Sequence, residues 1–190
     1  MMPTQSIRAF IGIDLDSETR ERLRAIQRDT LQMGQFSTVK AVDPGIAHIT
    51  LSFLGNKTSA ELSAIVEALR SISFHPFCVT LCGIGVFPNM KKIRVIHVGL
   101  SDSKDITTLY ELIIEALKRK LKPDKRKFDP HITLGRVKRT IPEELTLLAA
   151  TIAPLSTLFV SHLNVSSFQL KKSTLTPTGP IYDTLEEFRL

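Results

Sequence analysis

Two hydrophobic periods alternate along this chain of 190 residues. Short β-rich runs are apolar continuously or at every second position, and longer stretches repeat apolar residues at three and four. Residues 7–15 (IRAFIGIDL) predict a first strand. Asp16-Ser17 then offers the N-cap of a helix carrying Leu23, Ile26 and Met33. Residues 46–54 (IAHITLSFL) read as a strand closed by the turn pair Gly55-Asn56. Thr58-Ser59-Ala60-Glu61 is a capping box, and Leu62, Ile65, Val66 and Leu69 form one helical face. Residues 77–87 and 93–100 are consecutive strands around Pro88-Asn89, forming a hairpin or running between lobes. Ser103 opens a helix with Ile106, Leu109, Ile113 and Leu117 inward. It ends in Lys118-Arg119-Lys120, cations that suit a negative helix terminus. Residues 131–137 (HITLGRV) predict another strand, and Pro142 opens a short helix at its first position. Strand-like stretches at 158–170 and 182–190, joined by the turn-rich segment 176–180, complete the chain.

The order is β-α-β-α-β followed by β-α-β-α-β-β, so the two halves read as one unit used twice. In each half the tetrapeptide His-Ile-Thr-Leu lies on the strand between two helices, at 48–51 and 131–134. No linker-like stretch divides them. The expectation is one α+β domain over residues 1–190, built of two similar lobes related by an approximate two-fold.

Composition narrows the class. Hydrophobic residues make up 43% and charged residues 23%, ordinary globular usage that excludes a disordered chain. No segment approaches the ~20 apolar residues of a membrane span, and no secretory leader is visible, so a soluble, cytoplasmic protein is expected. The net charge of +6 permits a polyanionic partner without demanding one. Cys78 and Cys82 lie too far apart along a strand to bridge and lack the ligand count of a zinc site. They read as two small buried residues in a reducing compartment.

The repeated tetrapeptide carries the chemistry. Strand alternation sends Ile49 and Leu51 to one face and His48 and Thr50 to the other, and likewise Ile132 and Leu134 against His131 and Thr133. Each copy anchors itself in a core and presents His plus Thr outward. If the lobes face each other, both pairs line one cleft. Near neutral pH one imidazole can accept a proton while its partner donates one. In-line displacement at phosphorus needs such a pair at opposite ends of a bond. The threonine hydroxyls would hold the non-bridging oxygens, and Arg136 would add a planar cationic donor. No metal is required: His75, His97 and His162 are scattered, with no carboxylate cluster beside them. His97, on a strand rich in Val and Ile, reads as a satisfied, half-buried histidine. Lys171 and Lys172, paired at a strand end, read as solvated.

The pair His48-Ile49-Thr50-Leu51 and His131-Ile132-Thr133-Leu134 resembles the twin HxTx signature of the two-histidine (2H) phosphoesterases. Residues 8–11 (RAFI), 48–55 (HITLSFLG), 83–88 (GIGVFP), 172–175 (KSTL) and 179–182 (GPIY) look like the bacterial and archaeal RNA 2′,3′-cyclic phosphodiesterases, also called 2′-5′ RNA ligases. The resemblance covers nearly the whole chain. It implies a bilobal α+β fold with antiparallel sheets lining a central cleft and helices outside. The implied activity is metal- and cofactor-free hydrolysis of a terminal RNA 2′,3′-cyclic phosphate to a 2′-phosphomonoester. His48 would protonate the departing O3′, His131 would activate water, and Thr50, Thr133 and Arg136 would hold the phosphate. Phe53 would stack on the terminal nucleobase. Simple alternation puts Phe53 on the face opposite His48, so that role requires a bulge or the strand end near Gly55 to turn it inward. The chain has no Trp. Where relatives commonly carry one, before the first motif and in the strand matching 93–100, stand Lys40-Ala41-Val42 and His97.

Two other functions fit the same residues. The reverse reaction would seal RNA with a 2′-5′ linkage through the same transition state. A basic RNA-binding module without turnover is the reading from a different class, although it has no need of two titrating groups. The partners expected are RNA ends or nucleotides bearing a cyclic phosphate. A monomer suffices, because one chain supplies both motifs.

Overall fold

The site depends on how two distant strands meet, and the computed structural model describes the residues that decide it: 6–118, 128–139, 141–177 and 179–190. In chain order these form β1 (Ile7–Asp14), α1 (Ser17–Ala25), β2 (Val39–Ala41), β3 (His48–Lys57), α2 (Ser59–Arg70), β4 (Phe77–Asn89) and β5 (Lys92–Leu100). Then come α3 (Lys104–Leu117), β6 (Ile132–Val137), α4 (Pro142–Ile152), β7 (Phe159–Val165), β8 (Ser167–Leu175) and β9 (Pro180–Arg189). Among the described residues no helix is long and apolar enough to cross a membrane.

Local signals act where the sequence places them. The Asp16 carboxylate accepts from the Thr19 N–H at 2.7 Å and starts α1. Thr58 and Glu61 cap α2 reciprocally. The inward faces of α2 and α3 bury Leu62, Ile65 and Leu69, and Ile106, Leu109, Ile113 and Leu117. The first helix is shorter than its apolar spacing predicts: it widens into a π-type turn at Ile26–Thr30, and Met33 falls in a separate short turn. There Gln27 Nε2 donates to the Val42 and Leu134 carbonyls at 2.7 and 2.9 Å, tying the 40–42 segment to β6. Of the basic helix end, Arg119 and Lys120 lie outside the described residues.

The strands form one antiparallel sheet in the order β7-β4-β5-β6-β3-β1-β8-β9, with β2 also paired to β6. β4 and β5 are a hairpin. The stretch at 158–170 proves to be parts of two strands, β7 and β8, in opposite halves of the sheet. The spatial lobes are therefore not the sequence halves. β4 crosses to join β5, β6 and β7, while β8 and β9 return to join β1 and β3. The pseudo-two-fold survives this exchange: β3 matches β6, β1 matches β5, β8 matches β4 and β9 matches β7.

The axis passes through one contact. β3 and β6 share a single ladder pair, Ile49 opposite Ile132, both 0% exposed. Beyond it the strands part: β6 takes β2 as its neighbour, and β3 stays with β1. The isoleucines enter the common core with Leu51 and Leu134, which leaves the opposite face of the divergence to His48, Thr50, His131 and Thr133.

Cys78 and Cys82 correct an expectation. Phe77, Val79 and Leu81 are buried along the first part of β4, so alternation turns Cys78 outward, where it is exposed; Cys82 is half-buried. Both are free thiols.

Truncating the isoleucine at the joint tests the arrangement. Ile132→Ala is expected to lower stability by about 2–5 kcal/mol in urea denaturation. A loss well under 1 kcal/mol would mean that the joint is not packed as described.

Candidate active site

Each histidine is held by its own strand entry. His48 Nδ1 lies 2.9 Å from the Ile46 carbonyl, and His131 Nδ1 lies 2.7 Å from the Asp129 carbonyl. A carbonyl only accepts, so Nδ1 carries the proton in both rings and Nε2 is left as the working nitrogen. The two rings are matched to the residue: each bonds the carbonyl two positions earlier, and both line one cleft of about 730 Å³.

Both rings have aromatic brackets. Phe10 tilts against His48 at 4.7 Å between centroids, and Tyr182 meets it edge-on at 5.1 Å. Phe87 and His97 meet His131 edge-on at 4.9 and 5.3 Å. Gly12 keeps room for this packing: a Cβ there would lie 2.9 Å from the Ile49 carbonyl and 3.5 Å from the His48 ring.

The paired bulges explain how residues five positions on from each histidine reach the same cleft. On β3, Gly12 opposes Thr50 and Ile11 opposes Ser52, so Leu51 is an extra residue. On β6, His97 opposes Thr133 and Ile96 opposes Gly135, so Leu134 is an extra residue. Each bulge reverses the alternation beyond it. Phe53 comes opposite Phe10 and Arg136 opposite Val95, on the faces that carry the histidines. Phe53 is 63% exposed on the cleft wall, so the turn inward that its expected position required is present. His48, Thr50, Phe53, His131, Thr133 and Arg136 all line the cleft.

Sequence reasoning assigned no role to Phe10, Tyr182, Arg8, Lys40 or Lys138, which also line it. Alternation from Phe10 through Gly12 to Asp14 is the signal that could have found the first of these, once β1 is known to neighbour β3. Among the described residues no group of three or more His, Cys, Asp or Glu is gathered to hold a metal.

Electrostatics distinguish the rings. Burial lowers the His48 pKa, with help from Lys171 and Arg136; the Ile46 carbonyl and Asp14 oppose the shift. Burial also raises the Tyr182 pKa, against Arg136 and Arg8, so the phenol stays a neutral donor. His97 departs most from expectation. It stacks on Phe87 at 4.1 Å, and its Nδ1 is buried without a hydrogen bond of ordinary geometry, with only the adjoining Val98 backbone and Asp129 favouring the charged ring. Burial first and His131 second hold it down to about 4. Lys171 is likewise not solvated: it is 7% exposed.

A model of the LigT-like phosphoesterase family matches this chain twice, over residues 13–97 and 98–182. The chain belongs to that family. It is 36% identical over 182 residues to an RNA 2′,3′-cyclic phosphodiesterase of Archaeoglobus fulgidus, covering 96% of this chain and 99% of the relative. It is 38% identical over 187 residues to the protein of that name from Methanothermobacter thermautotrophicus, covering 97% and 99%. A solved structure from Thermus thermophilus superposes with a TM-score of 0.80 at 27% identity, covering 97% of this chain and 98% of that one. E. coli LigT complexed with 3′-AMP shares the fold at a TM-score of 0.78 and 24% identity, covering 98% and 99%.

The low pKa of His97 has a sign. The folded protein prefers the neutral ring, so its contribution to stability is complete above about pH 6.5 and is lost as pH falls toward about 4. His97→Phe is expected to give a shallower fall of the urea midpoint between about pH 7 and about pH 5. An unchanged fall would show that His97 is not held neutral.

Proposed function

We propose that the chain acts as one two-lobed enzyme that hydrolyses terminal RNA 2′,3′-cyclic phosphates to 2′-phosphomonoesters. The observation that carries this reading is the twinned pair of Nδ1-anchored imidazoles on one cleft, each beside a threonine. The activity named for relatives across the whole length supports it. One copy supplies every group, so a monomer completes the site.

The cyclic phosphate enters between Thr50 and Thr133, whose hydroxyls donate to its non-bridging oxygens. Arg136 gives a cationic donor from the β6 wall. His131 Nε2 accepts a proton from water as the water oxygen bonds to phosphorus. The P–O3′ bond breaks on the opposite side, and His48 Nε2–H protonates the departing O3′. Charge that collects on the equatorial oxygens is held by donors already in place. The cycle closes when His131 loses its proton to solvent and His48 regains one. These side chains suffice without a metal.

The depressed His48 fits this role once the substrate is bound. A phosphate monoanion beside the ring favours imidazolium, and a less basic imidazole delivers its proton more readily. Phe53, exposed at the rim, offers its face to the terminal base.

The direct test incubates a short RNA ending in a 2′,3′-cyclic phosphate with the protein in EDTA and identifies the product ends. A 2′-phosphate is expected, with turnover reduced at least ~10²–10⁴-fold in folded His48→Ala and His131→Ala proteins. A 3′-phosphate would reverse the acid and base assignments. RNA binding without turnover would favour a binding module instead. Phe53→Ala is expected to raise KM roughly tenfold with kcat nearly unchanged, the size of one lost base stack. An unchanged KM would remove Phe53 from the substrate site.

A further inference from the structure

Beside His48 lies an ion pair that the proposed chemistry does not use. Lys171 Nζ on β8 donates to both carboxylate oxygens of Asp14 on β1, at 2.5 and 2.6 Å. Asp14 is the cross-strand partner of His48. Its backbone N–H donates to Gln169 Oε1 at 3.1 Å, and Gln169 Nε2 donates to Ser167 Oγ at 2.9 Å. The end of β1 beneath the ring is therefore pinned to β8 twice, by its side chain and by its backbone.

Stability does not account for the pair. Lysine is rarely buried, and a buried ion pair contributes little that a well-packed apolar side chain would not. The burial is also uneven: the Lys171 side chain is 8% exposed and that of Asp14 is 36% exposed. Water screens the carboxylate more than the ammonium, so the pair presents a net positive field toward the protein side, where His48 lies. The other groups facing His48 are Arg136 and His131 at β6 and Tyr182 on β9, with Arg8 acting on Tyr182. Of these, Lys171 and Arg136 disfavour the imidazolium, and Asp14 favours it.

We propose that Asp14 and Lys171 are positioning residues that set how readily the His48 imidazolium gives up its proton to the leaving oxygen. The pair holds the strand that carries His48's partner residue, and its net field makes the ring a stronger acid. The inference rests on His48 being the proton donor, and its test separates the two claims.

Histidine ring resonances followed from about pH 4 to about pH 9 report the His48 midpoint directly, whatever reaction the enzyme performs. Lys171→Met is expected to raise that midpoint by about 0.5 in pH or more, and Asp14→Asn to lower it. The double variant should fall between the two. Asp14→Asn leaves an ammonium buried and unpaired, so it is the variant at risk of unfolding. Lys171→Met leaves a carboxylate that reaches water, and it carries the test by itself. An unmoved His48 midpoint in folded Lys171→Met would overturn the proposal and leave the pair a structural clamp. A shifted midpoint together with full turnover by His48→Ala would keep the electrostatic link and overturn the proton-donor role on which the inference rests.

Discussion

One apolar pair holds the active site together. Ile49 and Ile132 form the only ladder contact between β3 and β6 among the described residues, and both side chains are fully buried. Because they oppose each other and point to the same core, the residues on either side of each must share the opposite face. That places two histidines and two threonines around one opening. The strands then separate, which turns a flat sheet face into a cleft. A longer ladder would close the opening with backbone hydrogen bonds. Without any pair, the two motifs would have no fixed register.

The bulges extend this constraint. The leucine of each His-Ile-Thr-Leu is the extra residue, so the same local irregularity occurs on both sides of the axis. On one side it delivers an aromatic ring, Phe53, and on the other a guanidinium, Arg136. A symmetric backbone therefore carries an asymmetric pair of side chains, as the proposed substrate, with a base at one end and a phosphate at the other, requires. The electrostatics are asymmetric in the same way. His48 packs on Phe10 and feels the buried Lys171 ammonium from the same side of the sheet, whereas His131 has a neutral imidazole, His97, at its edge.

Much of this was legible in the sequence because it is local. Caps, helix faces and the alternation within each motif depend on residues a few positions apart, and the repeat exposed the two-fold. What was not legible depends on pairing across the chain. Nothing near Lys171 signals that Asp14, 157 residues away, will neutralise it. His97 reads as an ordinary strand histidine until the bulge at Leu134 sets it opposite Thr133. The exchange of β4 and the last two strands between lobes is likewise a topological choice that hydrophobic periodicity does not encode. Phe53 is the intermediate case: alternation alone pointed it the wrong way, and the need for a bulge could be stated without the partner strand.

The account's central claim is that the two imidazoles act from opposite sides of one phosphorus atom in a single displacement. Its most direct test is the stereochemical course of hydrolysis of one diastereomer of a nucleoside 2′,3′-cyclic phosphorothioate in oxygen-18 water. One in-line step inverts the configuration at phosphorus, and inversion is the result predicted. Retention would require two displacements through a covalent phosphoenzyme, and it would contradict the assignment of His48 and His131 as acid and base.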